Sequence, residues 1–311
     1  MTVVHALDDV DPVPSVVTIG NFDGVHRGHR TLVRRTADAA ADRDLRSVVI
    51  TFEPHPAAVL RPGSEPPRLQ TLEQRVEALE DAGVDLVLVL AFTPELAALE
   101  PDEFVAEVLV ERVSAQRVVV GTNFRYGRRA AGDIVHLATA GERHGFEVEA
   151  VALLELDDAR VSSSEIRRAV ADGEVERAAR GLGRPFALRG RVVEGDGRGR
   201  TIGVPTANLA IDPDMVVPAN GVYAGRVTVD ERSYAAVTNV GVRPTFEGTA
   251  RTVESHLLDA SLELYAREVE VTFEHRIRAE RRFDGPDALV AQIRRDIVDA
   301  RRWLVGTNDR A

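Results

Sequence analysis

The sequence contains no cysteine, which excludes disulfides, thiolate metal centres and cysteine nucleophiles. That absence fits a cytoplasmic protein. Long apolar runs are missing too: the longest, Leu86 to Phe92, is far too short to span a bilayer. Met1 to Pro14 carries three acidic residues and no apolar stretch of signal-peptide length. Positive charge is in deficit, with a net charge of −11. This argues against a general nucleic-acid surface and predicts basic residues concentrated where phosphates bind. Aromatic residues are few, at 5%, and scattered, so composition does not reveal what would grip a large ring ligand. There is no internal repeat and no low-complexity tract. What is present, 44% hydrophobic and 29% charged residues over 311 positions, makes one large or two ordinary folded domains.

The most informative stretch runs from Thr18 to His29, Thr-Ile-Gly-Asn-Phe-Asp-Gly-Val-His-Arg-Gly-His. It follows the apolar run Val16–Ile19, a short buried strand, and leads into a helical segment near Arg30. A strand, a glycine-rich turn and a helix N-terminus together present backbone N–H groups to an anion. Gly20, Gly24 and Gly28 let the backbone approach a ligand closely. His26 and His29 flank Gly28 and are spaced to face one phosphate chain, a task suited to imidazole. A metal site is the weaker reading, because no third ligand-type residue lies at a suitable spacing.

Through the first half, apolar strand candidates (Val16–Ile19, Ser47–Phe52, Leu86–Ala91, Arg117–Val120, Phe146–Leu153) alternate with helical patterns (Thr31–Asp42, Leu72–Ala82, Phe104–Val113, Ile134–Arg143). This rhythm predicts a parallel sheet covered by helices, with ligands at the C-terminal strand ends. Each conspicuous motif falls at such an end. Thr51-Phe52-Glu53-Pro54-His55-Pro56 makes a rigid extended turn. In Gly121-Thr122-Asn123-Phe124-Arg125-Tyr126-Gly127, Asn123 offers donors and an acceptor and Arg125 a partner for phosphate. Ser162-Ser163-Ser164-Glu165-Ile166-Arg167 reads as a helix cap whose hydroxyls and N–H groups also suit phosphate.

Gly181 to Pro185 breaks the helical pattern and sets the domain boundary, giving domains 1–183 and 184–311. Beyond it, short strands (Ala187–Val193, Val222–Val229, Ala235–Val240, Thr252–Leu258, Val269–Phe273) with frequent turn residues predict a small antiparallel barrel. A final helix spans Phe283 to Val305, with Leu289, Ile293, Ile297 and Leu304 as its core positions. The stretch Gly195 to Leu209 lacks P-loop spacing. Its glycines, with Arg198 and Arg200 beside Gly197, suit a loop folding over polyphosphate, while Thr206 and Asn208 offer oxygens to a hard cation. Taken alone, a β-bulge with solvated arginines explains the same residues. Glu254 alternates with Val253 in a strand, which by itself makes it a solvent-facing carboxylate.

Asn21-Phe22-Asp23-Gly24-Val25-His26-Arg27-Gly28-His29 resembles the signature of the H-x-G-H nucleotidyltransferases. More narrowly, it resembles that of the bacterial bifunctional riboflavin kinase/FMN adenylyltransferase family. The segment at Thr51–Pro56 is similar to the family's T-F-D-P-H-P, with Glu53 in place of Asp. The segment at Gly121–Gly127 is similar to G-x-[DN]-F-x-[FY]-G. Val161–Arg167 is similar to [IV]-S-S-T-x-[IV]-R, with Ser164 in place of Thr. Gly203–Leu209 resembles the kinase signature G-x-P-T-A-N-L, with Val204 in place of Phe.

The resemblance, over about residues 15–303, implies an α/β Rossmann-like nucleotidyltransferase domain followed by a small antiparallel β-barrel with a terminal helix, riboflavin kinase-like. It implies ATP-dependent phosphorylation of riboflavin to FMN and adenylylation of FMN to FAD, with Mg2+ as the cation. In the kinase, Glu254 would be the catalytic base; Gly197, Arg198 and Arg200 would cover the phosphates, and Thr206 and Asn208 would hold Mg–ATP. In the adenylyltransferase, His26 and His29 would be catalytic, with Gly20, Phe22, Gly24, Asn123, Ser162, Ser163 and Arg167 around ATP. Phe52, Pro54, Asn123 and Arg125 would border the flavin. Partners would be riboflavin, FMN and ATP, not nucleic acid or membrane, and a homo-oligomer stays open. A decayed single-activity enzyme would have lost Glu254 or the histidines. A flavin-binding regulator would carry an extra DNA-binding segment, and no basic helix-turn-helix-like stretch remains.

Overall fold

The computed structural model describes residues 1–156, 159–195, 199, 202–245 and 248–308. It divides into two compact units, Met1–Pro66 with Thr71–Ser163, and Pro67–Gln70 with Ser164–Ala311. Apart from the short Pro67–Gln70 segment, the chain passes from the first unit to the second after Ser163, the first residue of a helix, whereas the helical pattern of the sequence breaks at Gly181–Pro185.

Among the described residues of the first unit, six parallel strands form one sheet. Its order is β1 (Thr2–Val4), β4 (Leu86–Ala91), β3 (Arg46–Glu53), β2 (Ser15–Ile19), β5 (Ala115–Gly121) and β6 (Glu147–Val151). The inner strands β2, β3, β4 and β5 carry apolar runs because both faces of the sheet are covered there. Val17, Ile50 and Val118 bury one face together with Phe104 and Leu109. Val49, Val87 and Val89 bury the other with Val33 and Leu79. The chain leaves β2 for β3 on one side and later returns to β5 on the other. The carboxyl end of β2 is thus a topological switch point, the usual ligand crevice of such sheets.

Helices connect these strands: α1 (Arg27–Ala41), α2 (Pro56–Leu60), α3 (Leu72–Glu80), α4 (Pro94–Ala98), α5 (Pro101–Phe104) and α6 (Ile134–His144). Two details depart from the sequence pattern. Helix α1 begins at Arg27 rather than Thr31, because the His26 side chain caps it. The expected helix over Phe104–Val113 is α5 continued by a stretch of π winding, Val105–Arg112. Strand β1 carries no readable period at three residues; it exists because Val3 pairs with Val87 at the sheet edge. A small ribbon, β7 (Glu155–Leu156) with β8 (Ala159–Arg160), precedes α7 (Ser163–Ala171) and α8 (Val175–Leu182).

The second unit is an antiparallel barrel. Strands β12 (Arg232–Thr245), β13 (Gly248–Leu257), β10 (Ala207–Ala210), β9 (Phe186–Val193), β14 (Glu268–Phe273) and β11 (Gly221–Val229) succeed one another, and a β11–β12 pairing closes the ring. Strand β15 (His275–Ala279) adds to β11. Ala207–Ala210 and His275–Ala279 were not legible as strands; each is short and is held by the register of its neighbours. Closure removes the exposed edges that an open sheet of this kind would present. Phe186, Tyr223 and Phe273 fill the interior, with the Tyr223 ring edge-on to Phe273 at 5.4 Å.

The terminal helix, Pro286–Asn308, covers Val222, Ala224 and Val237 through Ala300 and Leu304. Its fully buried stripe is Gln292, Asp296, Ala300 and Leu304, so the expected Leu289 and Ile293 are only half-buried and flank it. The buried carboxylate is tolerated because Arg278 of β15 binds it bidentately, Nη2 to Oδ2 at 2.8 Å.

Candidate active sites

At the end of β2 the backbone enters a run of left-handed conformations: Phe22 at φ 49°, Gly24 at 84° and Val25 at 35°. A β-branched residue there is strained, and such strain persists only where the surroundings enforce it. Here Phe22, Asp23, Val25 and His26 are all buried. His26 Nδ1 accepts from the His29 N–H at 3.2 Å, so in the neutral ring the proton sits on Nε2. The two imidazoles stack at 3.6 Å, and Phe22 meets the His29 ring edge-on at 5.1 Å. Gly28 permits this arrangement: a Cβ there would stand 3.2 Å from the His26 ring.

His29 Nδ1 is buried and makes no hydrogen bond. Burial, then the neighbouring His26, then Arg75, hold the His29 imidazole well below its ordinary pKa, so it is neutral near pH 7. A neutral histidine beside a helix N-terminus leaves room for an anion to bring in the charge. Ser163 Oγ donates to the Asp23 carbonyl at 2.9 Å, which brings Ser163 onto this turn. Ser162 lies just before α7. Arg167 lies one turn further along α7, within the second unit, with Nη1 3.5 Å from Ser164 Oγ.

The two flanking strand ends carry the flavin-side candidates. Phe52, at the end of β3, packs edge-on to Phe92 at 5.6 Å, and Pro54 is exposed beyond it. His55 caps α2 through Nδ1, and its Nε2 lies 3.3 Å from the Asn21 amide. After β5, Asn123 folds back over Gly121, where a Cβ would stand 3.1 Å from Oδ1. Arg125 is exposed, with Asp133 at 3.5 Å. Below this loop, Tyr126 donates or accepts at His136 Nδ1 over 2.7 Å, and burial raises its phenol to about 12. Gly20, Phe22, Gly24, His26 and His29 therefore lie on one turn, with Asn123 and Phe52 on the adjoining strand ends. Sequence reasoning missed Arg75, whose buried guanidinium pairs with Glu53 at 3.0 Å. An arginine inside an ordinary helical pattern gives no signal of burial.

In the second unit the candidates are assembled by strand register. Asn208 of β10 stands opposite Glu254 of β13, which stands opposite Asn239 of β12. Directly opposed residues share a face with Cβ atoms about 5 Å apart. Val253, Ser255 and Leu257 point into the barrel, so this row lies on its outside, with Glu254 half-buried. Asn208 covers Gly195: a Cβ there would lie 2.1 Å from Nδ2. His256 Nδ1 donates to the Pro205 carbonyl at 2.8 Å, holding the chain ahead of Thr206. A Cβ on Gly199 would lie 3.3 Å from Thr206 Oγ1. Gly197, Arg198 and Arg200 lie outside the described residues. Asn239 belongs to the string Asn-Val-Gly-Val-Arg-Pro-Thr, whose position beside Glu254 only the register reveals.

A hard cation takes oxygen ligands, and Mg2+ keeps several waters while sharing nucleotide phosphates. The Thr206 hydroxyl and the Asn208 amide oxygen beside a carboxylate fit that chemistry. Among the described residues, no group of three or more His, Asp or Glu side chains forms a fully protein-built metal site.

A switch-point turn with paired histidines, followed by a barrel with an Asn208–Glu254–Asn239 row on its outer face, fits a two-module nucleotide-dependent transferase. Residues 9–165 match the family model described as FAD synthetase, and residues 182–304 match that described as riboflavin kinase. The chain is 40% identical over 302 residues to the bifunctional riboflavin kinase/FMN adenylyltransferase of Escherichia coli K12, covering 97% of this chain and 96% of that one. It is 41% identical over 304 residues to the Pseudomonas fluorescens protein of the same name, covering 97% of each. The chain belongs to the bifunctional riboflavin kinase/FMN adenylyltransferase family.

It also superposes on a crystal structure from Streptococcus pneumoniae described as a macrolide-efflux protein. The TM-score is 0.89 at 34% identity, over 97% of this chain and 99% of that one. Among the described residues here, no helix is long and apolar enough to cross a membrane.

Proposed function

We infer that this chain makes FAD from riboflavin in two ATP-dependent steps at two separate sites. The observation that carries the reading is that each module keeps its own polar constellation: the stacked His26–His29 pair at the β2 switch point, and Glu254 flanked by Asn208 on the barrel.

In the barrel module, comprising residues 184–311, the ribityl 5′-hydroxyl of riboflavin attacks the γ-phosphorus of ATP and ADP leaves. Glu254 accepts the hydroxyl proton, a role suited to a half-buried carboxylate within reach of solvent. Thr206 and Asn208 would hold Mg2+, which supplies neutralisation of phosphate charge when bound. Gly197, Arg198 and Arg200 cover the phosphates in this reading. In the module of residues 1–183, a phosphate oxygen of FMN attacks the α-phosphorus of a second ATP. The bond to the bridging oxygen breaks and pyrophosphate departs. His26 donates from Nε2–H, and His29, Ser162, Ser163 and Arg167 complete the surroundings of the triphosphate. Asn123, Arg125, Phe52 and Pro54 border the flavin. No covalent intermediate is required; positioning and charge stabilisation carry the rate. The reactants and the lack of cysteine accord with a cytoplasmic enzyme.

The test is a chromatographic time course of the purified protein with riboflavin, ATP and magnesium. FMN that rises and then gives way to FAD is the expected result. FMN alone would reduce the first module to binding, and no conversion would overturn the reading.

A further inference from the structure

Arg75 lies on α3, is 2% exposed, and has no part in the functional reading given above. Its guanidinium makes three directed contacts with the strand end that leads to the Phe52–Pro54 loop. Nη1 donates to the Phe52 carbonyl at 2.8 Å and to Thr51 Oγ1 at 3.3 Å, and Nη2 donates to Glu53 Oε2 at 3.0 Å. Thr51 Oγ1 in turn donates to the Asn21 carbonyl at 3.1 Å, inside the histidine turn. One buried side chain therefore ties the end of β3 to the turn after β2. The arrangement is rooted in α3, whose first turn is fixed by a capping box between Thr71 and Gln74.

We propose that Arg75 is a positioning residue for adenylyl transfer, holding the flavin-side loop and the histidine turn in one geometry. The inference rests on the assignment of this turn as the FMN adenylyltransferase site. Arginine suits the task because its planar fork serves three acceptors at once, which a lysine ammonium cannot do in the same directions. The replacement of the family's usual Asp by Glu53 fits the same contact, since the longer side chain reaches Nη2. A burial this deep would be costly for an unpaired cation, and the Glu53 pair with the Phe52 carbonyl compensates it. Its charge also acts on His29, lowering that imidazole's pKa after burial and the neighbouring His26. The arginine thus helps to keep that imidazole neutral before nucleotide arrives.

The experiment compares Arg75→Gln, Arg75→Lys and the double variant Arg75→Gln/Glu53→Gln, which removes both charges of the pair where the single change prevents folding. Wild-type conversion of supplied FMN to FAD is measured first; its absence would remove the site assignment itself rather than this inference. With wild type active, the neutral variants are expected to lose about a hundredfold in kcat for FMN adenylylation, the cost of misplacing reacting groups by about 1 Å. The KM for ATP should change less, and Arg75→Lys should recover part of the loss. The His29 imidazole, followed by NMR without nucleotide, should titrate at higher pH in the neutral variants than in wild type, because a repelling charge is gone. Riboflavin phosphorylation by the same chain reports its integrity. An unchanged kcat in a folded neutral variant would overturn the proposal. So would equal loss in the lysine and glutamine variants with an unmoved His29 titration, since that pattern is mere structural damage.

Discussion

In the first unit, the side chains around the candidate site come from turns at the ends of three parallel strands, and the central ones are buried. In the second, they come from the middle of neighbouring antiparallel strands and lie on an outer face. The parallel sheet needs helices on both faces, so only its strand ends are free to bind ligand. The barrel buries its own interior and leaves an outward row that the register aligns. The first architecture builds a site from loop geometry, including left-handed residues such as Val25. The second builds it from ladder pairing and needs no strained backbone along the Asn208–Glu254–Asn239 row.

The sharpest way to break this comparison is to disable one site and assay both reactions. Glu254→Gln should lower FMN formation by about a thousandfold, the span of a lost general base, while supplied FMN is still converted to FAD. Equal loss of both activities would mean that the sites are not separate. Next in size, His29→Ala should lower FAD formation by about a hundredfold, so that FMN accumulates from riboflavin. Unchanged FAD output would remove His29 from the mechanism. The smallest effect sharpens the account of the first site. Ser163→Ala removes the hydroxyl that binds the Asp23 carbonyl, a contact worth about 1 kcal/mol, or roughly fivefold in FAD formation. FMN formation serves as the reference, and a fall in both rates would show a general loss of folding instead.

Much of this was legible in the sequence because the relevant signals are local. The stretch from Gly20 to His29 contains its own turn, its helix cap and both histidines within ten residues. Leu86–Ala91 is a strand over the same residues that its apolar run predicts. Arg75 was not legible, since burial of a charged residue depends on Thr51, Phe52 and Glu53, which lie more than twenty positions away. Strand β10 was hidden for a related reason: Ala-Asn-Leu-Ala is too short to carry a readable alternation, and its state follows from β9 and β13 on either side. The terminal helix shows the same limit. Apolar spacing favoured Leu289 and Ile293, whereas Asp296 took a buried position because Arg278 was there to pair with it.

By itself, the amino-acid sequence determined the alternating α/β first half, the β-rich second half and the motifs of both reactions. Those features are written in periodicity, turn residues and short contiguous strings. Tertiary structure alone decided that His26 and His29 stack, that burial holds His29 below its ordinary pKa, that Asn239 stands beside Glu254, and that a buried arginine ties the end of β3 to the turn after β2. Each of these depends on desolvation or on strand register, quantities set by residues far apart in the chain and brought together only when the core closes.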